Sequence, residues 1–167
     1  EAMARLLVDA GADVAREPIR ALMLSLEPSK VAPLVEWLAR VDALLGSEVA
    51  TELLRRHGGD DRVVAAALLV LLEPSVLPEL RHYAFSPAAE VRKSLARAIG
   101  NLGDLAETEL LMQLMGDRVW WVRYRAAQAL LKLRGMNAEG IEAVRARLTD
   151  PYALDMLKHV RAEESLG

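Results

Sequence analysis

The chain has 167 residues, and 53% of them are hydrophobic, which is enough apolar material for a continuous core. Only 4% are aromatic and 27% are charged, so a core built from Ala, Leu and Val favours helices over sheets. The absence of cysteine excludes disulfides, thiolate metal sites and a cysteine nucleophile, and a net charge of -3 argues against a general nucleic-acid binder.

The longest apolar stretch, residues 63–72, covers about ten residues, roughly half of what a membrane-spanning helix needs. The chain begins at Glu1 rather than Met, and no charged stub followed by an apolar signal core stands at its start. We therefore expect a cytoplasmic segment without direct membrane insertion. The start at Glu1 indicates a fragment, which leaves room for a membrane tether before it.

The N-terminal half contains a tetrapeptide that occurs twice. Leu-Glu-Pro-Ser stands at residues 26–29 and again at residues 72–75, 46 residues later. A separation of this size is typical of units with two or three helices, whose periods are roughly 40 to 47 residues. We place the additional helix at about residues 48–57. The turn at residues 57–61 holds two glycines and two aspartates, which end one helix and cap the next.

Two later helices repeat each other at a spacing of 31 residues. Residues 90–102 align with residues 121–133, and both copies carry apolar or small residues at helical spacing. The alanine-lined face of each helix lets a neighbouring helix approach closely, as a stacked array requires. Shorter amphipathic helices are predicted after them, at residues 105–115 and 138–148, each entered through a glycine turn in which glycine adopts the left-handed conformation.

The ends of the repeat array are less regular. A fainter copy begins near Asp60, and a divergent copy begins at Asp150 with Leu154 in the place of an arginine. Terminal repeats often depart from the pattern in this way. We expect about ten or eleven helices in a single domain over residues 1–167, with irregular helices at 1–59, regular repeats at 60–149 and a capping helix at 150–167.

One segment carries a family resemblance. Asp117, then Trp120-Trp121-Val122-Arg123, and then a run of alanines and leucines to Leu133, resembles the first helix of a HEAT repeat. The segment is similar to the bacterial HEAT-like repeats that are also found in phycobilin lyases. The resemblance is strong over residues 86–148 and weak before Pro28. It implies an all-α fold of the α-α superhelix type, in which second helices line a concave surface that binds another macromolecule.

The same resemblance assigns structural roles to three charged residues. In the HEAT pattern the aspartate and the arginine tie adjacent turns and helices together through charge-assisted hydrogen bonds. Asp117 and Arg123 match those two positions. Arg92 takes the same role one layer earlier, where Ser86 stands in the place of the aspartate.

The densest aromatic cluster of the sequence lies at the start of the second copy, and arginines surround it. Aromatic residues with arginine are typical of the energetic centre of a protein-binding surface. We expect Trp121 to be half buried over the preceding turn and Trp120 to be the exposed anchor. The candidate partner-binding residues are Trp120, Tyr124, Arg118 and Arg125.

No pattern in the sequence indicates catalysis, a metal or a cofactor. The three histidines have no ligand partner at metal spacing, and neither a nucleophile elbow nor a phosphate-binding loop is present. Glu107, Glu109 and Asp117 could act as acid and base, but acidic residues at helix starts are the simpler interpretation. We therefore predict a protein that is not an enzyme.

The leading functional hypothesis is a scaffold that binds another protein, of unknown identity, through a surface of the array. A second hypothesis is a regulatory subunit or soluble appendage of a membrane-associated complex. A third is a HEAT-like lyase or DNA glycosylase. The acidic composition disfavours the glycosylase, because holding a DNA duplex requires a basic groove.

Overall fold

A computed structural model describes the backbone of residues 12–165. Over that range the chain forms ten α-helices and no strand, which confirms the all-α prediction. Three short 3₁₀ turns join them, at Pro74–Val76, Arg81–Phe85 and Leu105–Glu107. The helices are α1 (Ala12–Ser25), α2 (Pro28–Val41), α3 (Ala43–His57), α4 (Asp61–Leu68), α5 (Leu77–Leu80), α6 (Ala89–Leu102), α7 (Thr108–Met115), α8 (Trp120–Lys132), α9 (Ala138–Arg147) and α10 (Pro151–Glu164).

The chain divides into two compact units between Leu72 and Glu73. In the first unit, α2, α3 and α4 pack against one another, and α1 contacts both α2 and α3. In the second unit, α8 lies at the centre and packs against α6, α7 and α10. Each unit therefore builds its own core from helix faces.

The helix that was predicted at residues 48–57 is present as α3, but it begins at Ala43. The Asp42 carboxylate accepts a hydrogen bond from the Leu45 amide at 3.0 Å and so caps the earlier start. Gly46 lies within the helix, and the residue there must be small because a Cβ would come within 2.5 Å of the Ala39 Cα. This glycine therefore serves a close contact between α2 and α3.

The capping prediction at the next turn is confirmed. Helix α3 ends at His57, and the Asp60 carboxylate accepts hydrogen bonds from the amides of Arg62 and Val63 at the start of α4. Three helices, α2 to α4, thus separate the two Leu-Glu-Pro-Ser copies, as the 46-residue spacing predicted.

The 31-residue repeat is confirmed in the second unit. Helix α6 begins at Ala89 and α8 begins at Trp120, and their predicted apolar faces are buried. The two helices approach closely at Gly100, where a Cβ would lie 2.7 Å from the Ala129 Cα. The buried residues of the two faces include Val91, Leu95, Ala98, Ile99, Val122, Ala126, Ala129 and Leu130.

The helices that follow α6 and α8 start near the predicted positions, but only one of their glycine turns is left-handed. Gly135 has φ +89°, as predicted, before Asn137 caps α9 through the Gly140 amide. Gly103 has φ -79°, so the left-handed prediction is wrong there. A Cβ on Gly103 would lie 2.6 Å from the Ile99 carbonyl oxygen, so close approach of the backbone is the reason for that glycine.

Helix α10 begins at Pro151, where the Asp150 carboxylate accepts a hydrogen bond from the Tyr152 amide. It packs against α8 and contributes four buried residues, Ala153, Met156, Leu157 and Val160. Within residues 12–165, none of the helices has the length and apolar character needed to cross a membrane.

Candidate partner-binding surface

Arg92 and Asp117 form a buried ion pair that connects successive repeats. The Arg92 Nε donates to Asp117 Oδ2 at 2.6 Å, and its Nη2 donates to Oδ1 at 2.9 Å. The Arg92 Nη1 donates to the Ser86 carbonyl oxygen at 2.7 Å, which holds the turn before α6. Because the pair is bidentate and Arg92 is only 5% exposed, it fixes the loop before α8 against the start of α6.

The surroundings of Asp117 keep its carboxyl group ionised. Burial raises the pKa of Asp117. Hydrogen bonds from Arg92 and from the Val119 amide, together with the charges of Arg92 and Arg118, lower the pKa by more than burial raises it. The net pKa of Asp117 lies below its ordinary value. The ion pair therefore persists at neutral pH.

Arg123 sits one layer later and has a different set of contacts. Its Nη1 donates to the Asp117 carbonyl oxygen at 2.8 Å, and its guanidinium carbon lies 5.5 Å from the centre of the Tyr152 ring. The buried Arg123 Nε has no hydrogen-bond partner among the described residues. Asp117 thus pairs through its carboxylate with the preceding repeat and through its backbone with its own repeat.

The three carboxylates considered as acid or base candidates are each paired with an arginine. Glu107 is buried and binds Arg81 at 2.6 Å, and Glu109 pairs with Arg147. Asp117 pairs with Arg92, as described above. Among the residues that the structure describes, no group of three His, Cys, Asp or Glu side chains could hold a metal ion.

The aromatic residues at the start of α8 form one cluster with α10, here called the aromatic cluster and defined by Trp120, Trp121, Tyr124 and His159. Trp120 stacks on Tyr124 with ring centres 5.0 Å apart and an interplanar angle of 11°. Trp121 meets the Trp120 ring edge-on at 4.6 Å. His159 lies 6.4 Å from Trp120 and 6.3 Å from Tyr124.

Polar contacts hold Tyr124 in place at the centre of this cluster. Its hydroxyl donates to Glu163 Oε2 at 2.9 Å and accepts from Gln128 Nε2 at 3.0 Å. The bond to Glu163 is the main reason why the pKa of Tyr124 is raised. Arg125 lies over the Tyr124 ring at 5.7 Å and donates to Gln128 Oε1 at 2.8 Å. These contacts hold the Tyr124 side chain from several sides.

The structure places three of the four candidate residues together. Trp120, Tyr124 and Arg125 belong to one contact network, whereas Arg118 is exposed in the loop before α8 and makes no ring contact within the described chain. The expected order of exposure is reversed, because Trp121 is 57% exposed and Trp120 is 41% exposed. Stacking on Tyr124 covers one face of Trp120, and this explains the difference.

Sequence reasoning missed three residues of this surface, Gln128, His159 and Glu163. Gln128 lies one turn after Tyr124 on the same helix, a spacing at which side chains meet. His159 and Glu163 follow Gln128 and Lys132 by one repeat of 31 residues. Extending the repeat register into the C-terminal copy would have placed both of them beside α8.

Comparisons with known proteins identify one family. The model of a family described as HEAT repeats matches residues 48–131 and, in a second overlapping match, residues 74–165. Together the two matches span more than half of the chain. The comparisons with curated proteins and with solved structures gave no match.

Proposed function

This chain belongs to the HEAT-repeat family, and we propose that it serves as a non-enzymatic scaffold that binds a partner protein through the aromatic cluster. HEAT repeats are generally protein-interaction scaffolds and are typically non-enzymatic. The proposed contact residues are Trp120 and Tyr124 with Arg118 and Arg125, to which we add Trp121.

The observation that carries this proposal is the exposure of two adjacent tryptophans beside Tyr124. Exposing an indole ring to water is unfavourable, and tryptophan, tyrosine and arginine are the residues that contribute most to binding at protein interfaces. Trp120 and Trp121 together expose large ring surfaces while Glu163 and Gln128 hold the neighbouring Tyr124. The two hydrogen bonds of Tyr124 reduce the side-chain entropy that this residue loses on binding.

The aromatic cluster has two arginines next to it, in addition to the carboxylate of Glu163 that binds Tyr124 and His159. Arg118 and Arg125 flank it, and neither forms an ion pair with a carboxylate in the described chain. Charges at such positions steer association and set its dependence on salt. The proposal therefore includes association that weakens as salt concentration rises.

The proposal is tested by capture with the immobilised full chain. We expect a binding protein to be retained by the wild type and lost with the double variant Trp120→Ala/Trp121→Ala, with the loss of affinity exceeding tenfold because truncating such residues costs about 2 kcal/mol or more each. The matched control is Phe85→Ala, since Phe85 is 71% exposed and lies outside the aromatic cluster.

The thermal midpoint of each variant separates binding from folding. Neither tryptophan is buried, so the double variant should unfold within a few degrees of the wild type. Equal capture by the double variant and the wild type would overturn the proposal. Unfolding of the double variant at room temperature would also overturn it, because the two rings would then belong to the core.

A further inference from the structure

A recess with cationic walls lies beside the aromatic cluster, between α6 and α8. Its volume is about 260 Å³. Gly100 and Ala129, where α6 and α8 approach most closely, also line it. Its walls carry five polar side chains, which are Arg97, Asn101, Arg125, Gln128 and Lys132.

The charge of this recess has one sign. Arg97, Arg125 and Lys132 supply three positive charges, and no carboxylate lines the recess. Within the described chain neither Arg97 nor Lys132 forms an ion pair, although exposed arginines elsewhere, such as Arg145 and Arg161, pair with a carboxylate. In a protein with a net charge of -3, such a concentration of uncompensated cations favours an anionic ligand.

Arg125 is oriented before a ligand binds. Its Nη1 donates to the neutral amide oxygen of Gln128 at 2.8 Å, and its guanidinium rests over the Tyr124 ring at 5.7 Å. A neutral partner fixes the position of the guanidinium without cancelling its charge. The remaining N–H groups form the planar fork that suits a carboxylate.

We propose that this recess binds carboxylate side chains of an acidic segment on the partner protein. The inference rests on the proposed function, because it identifies the chemistry of the partner that the scaffold binds. The Asn101 side-chain amide and the second N–H of Gln128 can pair with the backbone of an extended peptide. A polypeptide is therefore a better match than a simple anion.

A peptide fits this surface better than a nucleic acid does. Nucleic acids are bound by basic stripes that follow many phosphates, whereas these cations are confined to one recess. Glu163, which bonds to Tyr124 and to His159, brings a negative charge to the adjoining aromatic cluster and would repel a continuing phosphate backbone. In a partner segment with acidic residues next to apolar ones, the acidic residues would contact the recess and the apolar residues would contact the aromatic cluster.

The recess and the aromatic cluster share residues and so form one continuous surface. Gln128 lines the recess and donates to the Tyr124 hydroxyl, and Arg125 lines the recess and covers the Tyr124 ring. Trp121, Arg125, Gln128 and Lys132 follow one another along the same side of α8 at helical spacing. One partner segment can therefore contact both surfaces along the direction of α8.

The inference is tested with fluorescein-labelled hexaglutamate and the full chain at low salt. We expect binding that weakens by roughly tenfold in the variant Arg97→Gln/Lys132→Gln, because two of the three cations are removed. The matched control is Arg40→Gln/Arg62→Gln, which changes net charge equally at two exposed arginines that have no ion pair in the described chain. Thermal midpoints confirm that all variants are folded.

Four outcomes would overturn the inference. One is no hexaglutamate binding at millimolar concentration, and another is an equal loss of binding in the recess variant and the control. The third is tighter binding of single-stranded DNA of equal charge that depends on Arg97 and Lys132, which would favour a nucleic acid. The fourth is displacement of hexaglutamate by unlabelled inorganic phosphate at equal concentration, which would reduce the site to one for a simple anion.

Capture of the partner distinguishes a failure of this inference from a failure of the proposed function. Loss of the partner in Trp120→Ala/Trp121→Ala, with full retention in Arg97→Gln/Lys132→Gln, would keep the scaffold proposal and reject the recess as its acidic subsite. Loss of the partner in both variants supports the proposed function and the inference about the recess. Retention in both rejects the proposed function and the inference that rests on it.

Discussion

Among single residues, Asp117 connects three neighbouring segments of the chain. It accepts two hydrogen bonds from Arg92 through its carboxylate, one from the Val119 amide and one from Arg123 through its carbonyl oxygen. These contacts join the turn before α6, the loop before α8 and the first turn of α8. A single carboxylate thus organises the connection between two successive repeats.

Replacing Asp117 by Asn should destabilise the protein by about 3 kcal/mol at pH 7, because removing one partner of a buried ion pair leaves the other charge without compensation. Arg92 would keep its bond to the Ser86 carbonyl oxygen but lose a charged partner. Urea unfolding followed by circular dichroism measures the difference. A change below about 0.5 kcal/mol, the range of ordinary surface substitutions, would show that the pair is not structural.

The pH dependence of the same variant gives an independent check. The pKa of Asp117 is lower in the folded state than in an unfolded chain, where it is about 3.9. The stability that this lowering provides is therefore present above pH 4 and is lost as pH falls through the folded pKa. The difference between wild type and Asp117→Asn should shrink below pH 4, and a constant difference down to pH 2 would contradict this assignment.

The HEAT pattern assigned Asp117 and Arg123 to contacts between adjacent turns and helices but named no partner for either. In the structure the Asp117 carboxylate binds Arg92 of the preceding repeat, and the Asp117 carbonyl oxygen accepts from Arg123. Glu107 was interpreted as an acid at a helix start, although it is buried against Arg81, 26 residues earlier. Contacts between layers depend on how repeats stack, which the pattern within one repeat does not contain.

At the scale of helices, the contact between α6 and α8 depends on small residues. Gly100 faces the backbone of Ala129 so closely that any Cβ would force the two helices apart. The sequence predicted this close approach from the alanine-lined faces and from the 31-residue register. It placed Gly100 inside a helix and Gly135 in a left-handed turn, as the structure does, but it left Gly46 outside the helix that was predicted at residues 48–57.

Replacing Gly100 by Ala should lower stability by about 1 to 3 kcal/mol, since overpacking a tight contact outweighs the roughly 1 kcal/mol that alanine adds in helix propensity. The matched control is Gly59→Ala, because no atom lies within 4 Å of a Cβ at Gly59. Thermal unfolding of both variants measures the contrast. A Gly100→Ala protein as stable as Gly59→Ala would show that the helices can separate without loss.

The ion pairs and helix contacts of the two repeats lie within one compact unit. The Arg92–Asp117 and Arg81–Glu107 pairs and the packing of α6, α7, α8 and α10 all belong to residues 73–167. A repeat protein owes its stability to each repeat and to its nearest neighbours. An experiment can therefore decide whether residues 1–167 unfold as one domain or whether each compact unit unfolds separately.

We expect a fragment of residues 73–167 to retain helical circular dichroism and to unfold cooperatively, because its core and its ion pairs are complete within it. Introducing Asp117→Asn into this fragment should cost about as much stability as in the full chain, since separate sites act additively. The measurement is thermal unfolding of the fragment and of its variant. An unfolded fragment would support a single indivisible domain instead.

The contact between Trp120 and Trp121 provides an intrinsic spectroscopic probe at the surface that we propose for binding. The chain has three tryptophans, and two of them meet edge-on at 4.6 Å beside Tyr124. Their emission and near-ultraviolet dichroism therefore report mainly on this one place. Binding of a partner that covers these indoles can be followed by intrinsic tryptophan fluorescence. A titration without any dye would then give both the affinity and the stoichiometry of the complex.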